Sequence, residues 1–521
     1  MATGVISPGA SPESGGAVVC IGFMGAGKST AARSAARALG VEAIDVDRVL
    51  EQRLGKPIEA VFEQDGEAAF RSAEERVTLE LLSEPGRRVI ALGGGALGSQ
   101  RVRAAVGEHL VIWIDVDLGT AWERCHSSNR PLASDRSLFE LLYTEREPVY
   151  AAVADVTVPS ERSRSMGVVL GSLDGLPSGA RVLWAASASK DYPVYLGGGL
   201  IDRHRFWPAA VGGRRFVVTD AHVARCLGDA FEPAAARIEL TPGESAKTVS
   251  TAASLWSQLA GDGMTRADVL VALGGGVVGD LAGFCAATYQ RGVRYVQAPT
   301  TLLAQVDSAY GGKTGIDIPE AKNYVGAYHH PEAVIADTGA LRTLPQVELA
   351  AGYAEVVKTA LIAGGYLWDR VRGGAEPSDP EVIAGCAQTK LRIVARDERD
   401  DGLRQVLNLG HTVAHAIEAV TGYARYRHGE AVALGLLAAL RLSEQHELRE
   451  EVGELLARHG LPRSLAHADP DDVVAATARD KKRLGDGPVP LVLLEEPGRA
   501  HAGCTVPAGA LTAAVRELAA R

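Results

Sequence analysis

Cysteine, aromatic residues and long apolar runs are all scarce in this chain of 521 residues. Its six cysteines (Cys20, Cys125, Cys226, Cys285, Cys386 and Cys504) form no C-x-x-C pair and no disulfide-like spacing. That excludes a disulfide-stapled secreted scaffold and fits a reducing compartment. No stretch approaches the roughly 18 apolar residues of a membrane span, so none is expected. Lys and Arg (54) are outnumbered by Asp and Glu (64), for a net charge of -10. With no clustering of basic residues and aromatics, a nucleic-acid surface is not expected. Residues 1–16 are rich in Gly, Ser and Pro, without a basic start or an apolar core. They read as a disordered tail rather than a signal peptide, and the expected location is the cytoplasm. What remains is 46% apolar and 23% charged, an ordinary globular composition. The length is too great for one core and implies roughly two to four domains.

Residues 17–165 alternate short apolar runs with amphipathic helical patterns: VVCIGF, VEAID, RVIALGGG, HLVIWIDV and ADVTV. This rhythm predicts an α/β fold with a parallel sheet covered on both faces. Residues 166–184 turn to Ser, Gly and Arg, including the run Gly171 to Gly179, and are expected to be a linker. RRFVVTD and ADVLVALGGG resume the alternation over 185–337. Alanine- and leucine-rich amphipathic segments then predict an α-helical half over 338–521. No internal repeat joins the parts.

Gly22-Phe23-Met24-Gly25-Ala26-Gly27-Lys28-Ser29-Thr30 follows the apolar run ending at Ile21 and fits G-x-x-x-x-G-K-[ST]. A strand precedes it and a helical pattern follows, which is the context the motif needs. Its glycines let backbone amides curl around phosphates, the helix N-terminus adds positive potential, Lys28 reaches the outer phosphates, and Ser29 can ligate magnesium. The segment is expected to bind a nucleoside triphosphate. Asp45 and Asp47 end the next strand, where a carboxylate holds magnesium through water or accepts a proton from an attacking hydroxyl. Arg71 and Glu74 lie one turn apart on a predicted helix. Gly93-Gly94-Gly95 ends another strand, Arg130-Pro131-Leu132 has lid-like composition, and Arg146 lies on a helix expected to end at Pro148. Arginine forks converging there suit both phosphate and carboxylate. Asp45 and Glu74 can equally belong to an ordinary salt-bridge network.

The order G-x-x-G-x-G-K-S-T, D-x-D, F-R-x-x-E, G-G-G, R-P-L and E-R-x-P-x-Y resembles shikimate kinase over about residues 16–165. The resemblance implies a P-loop kinase domain with ATP and magnesium held by Gly25, Ala26, Gly27, Lys28, Ser29 and Thr30. It places Asp45 in the magnesium shell through water, and Arg130 on the ATP side as a lid arginine. Shikimate would meet Asp47, Arg71, Gly94 and Arg146. Asp47 would position or deprotonate the accepting hydroxyl.

Gly274-Gly275-Gly276-Val277-Val278-Gly279-Asp280 follows a strand and fits G-x-G-x-x-G. So does Gly93 to Gly98, where no dinucleotide is expected, so the bare pattern discriminates poorly. The acidic residue usual about 20 positions later is missing, and Asp220 at the end of RFVVTD is the better ribose-binding candidate. His411 and His415 stand four apart in N-L-G-H-T-V-A-H, on one helix face. His428 follows after a short turn, and Glu355 lies on an earlier predicted helix in G-Y-A-E-V-V-K. Two histidines and a carboxylate with an open fourth position make a catalytic zinc arrangement. Buried, hydrogen-bonding histidines are the alternative that spacing leaves open.

L-G-G-G-V-V-G-D-L-A-G-F, Y-Q-R-G-V, P-T-T-L-L-A-Q-V-D-S, G-G-K-T-G and K-N-Y-V-G-A, then A-G-Y-A-E-V-V-K and L-N-L-G-H-T-x-x-H, resemble 3-dehydroquinate synthase from about residue 185 onward. The resemblance implies zinc or cobalt on Glu355, His411 and His428, and moves His415 either to the substrate side or to a supporting place behind the ligands. It implies NAD on Asp220, Glu244, Lys247, Gly276, Val277, Val278, Gly279, Asp280, Thr300, Thr301 and Asp307, with Lys313 and Lys322 nearby. Substrate phosphate and carboxylate would meet Lys313, Asn323, Lys358, Lys390, Arg404, Asn408 and one of Lys481 or Lys482. Arg266 matches an arginine that reaches a neighbouring subunit, which implies a homodimer. Two departures stand beside the site: Asp317 replaces a common asparagine, and Tyr328-His329-His330-Pro331 replaces a more usual F-x-Q-P.

Together the resemblances imply a bifunctional enzyme of aromatic amino-acid biosynthesis. One half would phosphorylate shikimate with ATP. The other would cyclise 3-deoxy-D-arabino-heptulosonate 7-phosphate to 3-dehydroquinate and phosphate, with NAD as a catalyst that is not consumed. The reactions are not consecutive, so no channelling is expected. Another sugar phosphate cyclase or a metal-dependent alcohol dehydrogenase would share the second build, but Lys390, Arg404 and Asn408 speak for a substrate that also carries a carboxylate. A nucleotide-sensing module would have no use for Asp47, Arg71 and Arg146.

Overall fold

A computed structural model describes residues 16–126, 131–201, 206–477 and 489–519. The expected tail up to residue 15, the lid arginine Arg130, and both Lys481 and Lys482 lie outside the described residues. The chain divides into two compact units, one running to Ala186 and taking back Asp191–Leu200, the other holding Ser187–Lys190 and continuing from Gly213.

The first unit carries β1 (Val18–Ile21), β2 (Ala43–Asp45), β3 (Val89–Ala91), β4 (Leu110–Asp115), β5 (Val156–Pro159), β6 (Arg181–Ala185) and β7 (Tyr192–Gly197). Their order is β2-β3-β1-β4-β5-β6-β7. Neighbours are parallel except the β6/β7 hairpin. Strands covered on both faces read as unbroken apolar runs, and β1 and β4 are buried throughout. The helix Lys28–Leu39 starts at the C-terminal end of β1, after Gly27 in a left-handed conformation (φ 95°). At Gly22 a Cβ would sit 2.4 Å from the Ile114 carbonyl, so only glycine lets the loop leave the sheet so closely.

Two expectations need correction here. Residues 166–184 are not a linker: the helix Met166–Gly171 and most of β6 occupy them, with Met166, Val169, Leu170 and Leu173 buried. Val182 N–H donates to the Asp155 carbonyl at 2.8 Å, the start of the β5/β6 pairing. The glycines and serines of one turn dominate the composition and hide the short apolar runs on either side. The helix bearing Arg146 also continues through Pro148, from Arg136 to Val153. A proline costs one helical hydrogen bond, and here the turn beyond it is anchored by buried Tyr150, whose hydroxyl donates to the Gly94 carbonyl at 2.6 Å.

The second unit has a parallel sheet from β8 (Arg215–Asp220), β9 (Ala234–Leu240), β10 (Val269–Gly274), β11 (Arg294–Pro299) and, after the hairpin β12 (Lys313–Ile318) and β13 (Ala321–Tyr328), β14 (Ala333–Asp337). Its order is β14-β11-β10-β8-β9. Phe216, Val218, Leu255, Leu270, Leu281 and Tyr295 form its core with the helix Gly276–Thr288. Among the described residues from Gln346 onward helices dominate, as expected, apart from one strand pair. An antiparallel pair, β15 (Leu491–Glu496) and β16 (Arg499–Cys504), turns at Pro497-Gly498, where Gly498 has φ 96°. Among the described residues, no helix is long and apolar enough to cross a membrane.

Candidate active sites

A cavity of about 460 Å³ opens at the C-terminal ends of β1, β2 and β3. Gly25, Gly27, Lys28, Ser29, Thr30, Asp45, Asp47, Arg71, Glu74, Gly94 and Arg146 all line it, while Ala26 is buried behind the loop. Asp45 ends β2 and caps the next helix, its Oδ1 accepting from Asp47 N–H at 3.2 Å. Lys28 Nζ donates to the Phe23 carbonyl at 3.1 Å, across the loop it starts from. Arg146 donates to the Gly94 carbonyl at 3.2 Å and lies over the Phe23 ring.

Gly93 and Gly95 are each required by a different neighbour. A Cβ at Gly93 would meet Glu74 Oε1 at 2.1 Å and Asp47 Oδ1 at 3.0 Å; one at Gly95 would meet Arg71 Nη1 at 2.3 Å. Glycine therefore lets both carboxylates and the guanidinium crowd one strand end. Arg71 is paired with Glu74 at 2.6 Å. Burial raises the Glu74 carboxyl above its ordinary value, Arg71 counteracts this, and Asp47 adds to it. Glu74 thus belongs to a network, yet one that presents Arg71 to the cavity.

The second cavity, about 2270 Å³, spans the C-terminal ends of the β8 and β10 strands and the helical layer. Asp220, Glu244, Lys247, Gly276, Val277, Val278, Asp280, Thr300, Thr301 and Asp307 line it on one side. Lys313, Lys322, Asn323, Lys390, Asn408, His411, His415 and His428 line the rest. Gly279 does not: it packs under Gln297. Asp220 caps its own helix, accepting from His222 N–H at 2.8 Å and Val223 N–H at 3.0 Å. Lys247 is buried and reaches Asp280 at 2.6 Å and the side chain of Asn323. Asn323 holds a left-handed φ of 53°, and the departing residue Asp317 explains how: its Oδ1 accepts from Asn323 N–H at 2.7 Å.

At the base of this cavity, ligand atoms of Glu355, His411 and His428 lie within 4.8 Å of one another. His411 Nε2 is 3.4 Å and His428 Nε2 3.2 Å from Glu355 Oε1. Burial opposes a charge on His428, but hydrogen bonds to Glu355 and Glu418 raise its pKa to about 10. The pocket therefore attracts positive charge, and its donor set suits zinc or cobalt. His415 projects from the same helix as His411, with its ring 6.2 Å from that of His428, and does not enter the trio. Lys358 and Arg404 sit behind the wall rather than on it, 1% and 2% exposed. Lys358 Nζ is 2.6 Å from Glu355 and 3.8 Å from Asp307. Arg404 donates to the carbonyls of Glu398 and Gly311. Burial alone would raise the Asp307 carboxyl, but Lys358 and Lys390 hold it at about 2.

The family described as 3-dehydroquinate synthase N-terminal matches residues 237–351, and its C-terminal counterpart matches 352–483. The 3-dehydroquinate synthase of Halorhodospira halophila is 42% identical over 340 residues, covering 61% of this chain and 94% of that protein. That of Symbiobacterium thermophilum is 43% identical over 333 residues, covering 59% and 92%. The chain belongs to the 3-dehydroquinate synthase family. The shikimate kinase family matches residues 24–174. Both enzyme domains are present, which makes this a bifunctional enzyme of the shikimate pathway. Two solved structures are similar to this chain over about 64% of its length. 2-Deoxy-scyllo-inosose synthase, complexed with carbaglucose-6-phosphate, NAD+ and Co2+, is 25% identical with a TM-score of 0.58, over 64% of this chain and 99% of that one. 2-epi-5-epi-Valiolone synthase from Streptomyces hygroscopicus subsp. jinggangensis 5008, with NAD+ and Zn2+ bound, is 27% identical with a TM-score of 0.57, over the same shares.

Sequence reasoning assigned no role to three side chains in these sites, one of them, Tyr150, the last residue of E-R-x-P-x-Y. Tyr150 holds Gly94 from four residues beyond Arg146, a spacing that puts both on one helix face. Arg124 donates to the Gly25 carbonyl at 3.0 Å inside the phosphate loop, from a helix with no motif of its own. Glu418 stands 3.4 Å from His428 Nδ1. Its signal was its place seven residues beyond His411, on the same face of the synthase helix.

Proposed function

We propose that the first cavity binds ATP with Mg2+ through Gly25 to Thr30, with Asp45 reaching the ion through water and Asp47 handling the accepting hydroxyl of shikimate. The observation that supports this is Asp47 facing Glu74 and Gly93 while Arg71 and Arg146 offer two guanidinium groups to an acid. Isothermal titration with shikimate tests it. Arg71→Ala and Arg146→Ala are expected to lose the acid while retaining ATP, and unchanged shikimate binding in both would overturn the assignment.

In the second cavity the proposed cofactors are NAD, along the Asp220 and Gly276–Asp280 side, and zinc or cobalt on Glu355, His411 and His428. When bound, the metal polarises a carbonyl and NAD carries the hydride. The residues around them do the rest. Lys313, Asn323, Lys390 and Asn408 offer donors to a substrate with phosphate and carboxylate ends. Lys358, held by Glu355 and Asp307, keeps buried positive charge beneath that substrate. Arg404 acts from behind, steadying the turn at Gly311 that leads into Lys313. The convergence of Glu355, His411 and His428 carries this reading. Metal analysis of the purified protein tests it: about one zinc or cobalt per chain is expected, and a metal-free enzyme with full cyclase activity would end it. A homodimer through the synthase part is proposed from the family resemblance at Arg266, which is exposed. Analytical ultracentrifugation tests it: Arg266→Ala is expected to shift toward monomer, and an unchanged sedimentation would remove Arg266 from any interface.

A further inference from the structure

The helix His411–Val420 places His411, His415 and Glu418 four and then three residues apart, on one face. His411 Nδ1 lies 3.2 Å from the Leu409 carbonyl, so its N–H donates there and Nε2 is left facing Glu355. For His428 the corresponding partner is a carboxylate. Its Nδ1 lies 3.4 Å from Glu418 Oε2, while its Nε2 faces Glu355 Oε1. The Glu418 side chain is 4% exposed, and Lys322 Nζ stands 3.4 Å from its other oxygen. Lys322 is in turn 4.4 Å above the Tyr423 ring and 3.9 Å from Glu244.

We propose that Glu418 is the positioning residue for His428, fixing its tautomer and ring plane so that Nε2 points at the metal. The proposal rests on the reading of Glu355, His411 and His428 as ligands. A neutral imidazole carries one proton on either nitrogen, and only the form protonated at Nδ1 has an Nε2 lone pair for a metal. A buried carboxylate at Nδ1 selects that form and strengthens the donor. Lys322 holds the carboxylate from the far side, which offsets the cost of burying its charge. The same contact ties the metal trio to the Glu244 side of the cofactor cavity.

The test uses the full chain. Wild type, Glu418→Ala, Glu418→Gln and His428→Ala are titrated with Co2+ in competition with a chromophoric chelator. Melting temperatures are measured with and without the metal. Glu418→Ala is expected to bind Co2+ about 10–100-fold more weakly, and its melting temperature to rise less on metal loading. Glu418→Gln keeps an acceptor but loses the charge, and falls between. Shikimate phosphorylation by the first unit should stay unchanged in all variants and reports an intact chain. Affinity of Glu418→Ala within about twofold of wild type overturns the proposal. So does an equal loss of melting temperature with and without metal at unchanged affinity, the mark of a purely structural ion pair. If the alanine variant does not fold, the glutamine variant decides alone, and wild-type affinity there overturns the proposal. His428→Ala separates the two readings. If it binds Co2+ like wild type, the ligand set and the proposal both fall; if it loses the metal while Glu418→Ala keeps it, only the role of Glu418 falls.

Discussion

Glu355 Oε1 lies 3.2 Å from His428 Nε2, although 73 residues separate them in the chain. Three helices, Gln346–Ala363, His411–Val420 and His428–Leu442, bring the trio together. His411→Ala and His428→Ala should therefore emerge largely metal-free, and excess zinc should not restore cyclisation. His415→Ala should keep near-stoichiometric metal with lower turnover. Elemental analysis decides, and a metal-free His415→Ala beside a metal-loaded His428→Ala would favour the simple histidine pair.

Asp47→Asn is expected to keep ATP binding and the fold while phosphoryl transfer drops by at least about a hundredfold. Steady-state kinetics with shikimate checks it. Near-wild-type turnover would remove Asp47 from proton handling.

Gly95→Ala places a methyl group 2.3 Å from Arg71 Nη1, so the guanidinium must leave its position. A hydrogen bond to a charged group is worth about 1.5–3 kcal/mol, so the shikimate KM should rise about ten- to a hundredfold. The KM for ATP should hold, since Arg71 is proposed to meet the acid rather than the nucleotide. Equal changes in both constants would argue against this separation.

Burial raises the Asp155 carboxyl from about 3.8 to about 6, against the Val111 N–H and Arg181. A folded-state pKa above the unfolded value means the folded state holds the proton longer. Stability of the first unit should then be fullest below about pH 4 for this group and fall as pH rises to about 6, by roughly 3 kcal/mol at most. Asp155→Asn should flatten that dependence in urea melts between pH 4 and 7. An unaltered slope would exclude Asp155 as its source.

A fragment of residues 1–176 would end before β6 and leave β5 as an open edge. Such edges pair with other chains. A fragment of residues 1–200 keeps the β5/β6 ladder and the buried side chains of Val182, Leu183 and Trp184, and should be the more heat-resistant of the two. Thermal melts compare them directly.

Much of this was legible because buried parallel strands advertise themselves. VVCIGF and HLVIWIDV leave little choice of period, and the phosphate loop follows its strand in register. The strand β6 escaped notice because five residues beside a Gly-rich turn carry too little pattern. Glu418 and Arg124 escaped for a different reason. Their roles come from what tertiary packing places opposite them, the ring of His428 and the carbonyl of Gly25; spacing puts Glu418 on the His411 face but does not name its partner on another element. Resemblance puts Lys358 and Arg404 at the substrate. Their burial shows why motif identity does not give distance: a cation can serve a site from behind its wall.

The shikimate kinase match ends at residue 174, just short of β6, yet β6 continues the β5 ladder. The junction between two catalytic sequences is thus stitched by backbone amides and carbonyls, which take no notice of side-chain identity. Drift in residue type there should be well tolerated over evolutionary time, whereas inserting or deleting a single residue within either strand would shift the register. Selection at this junction acts on spacing rather than on spelling.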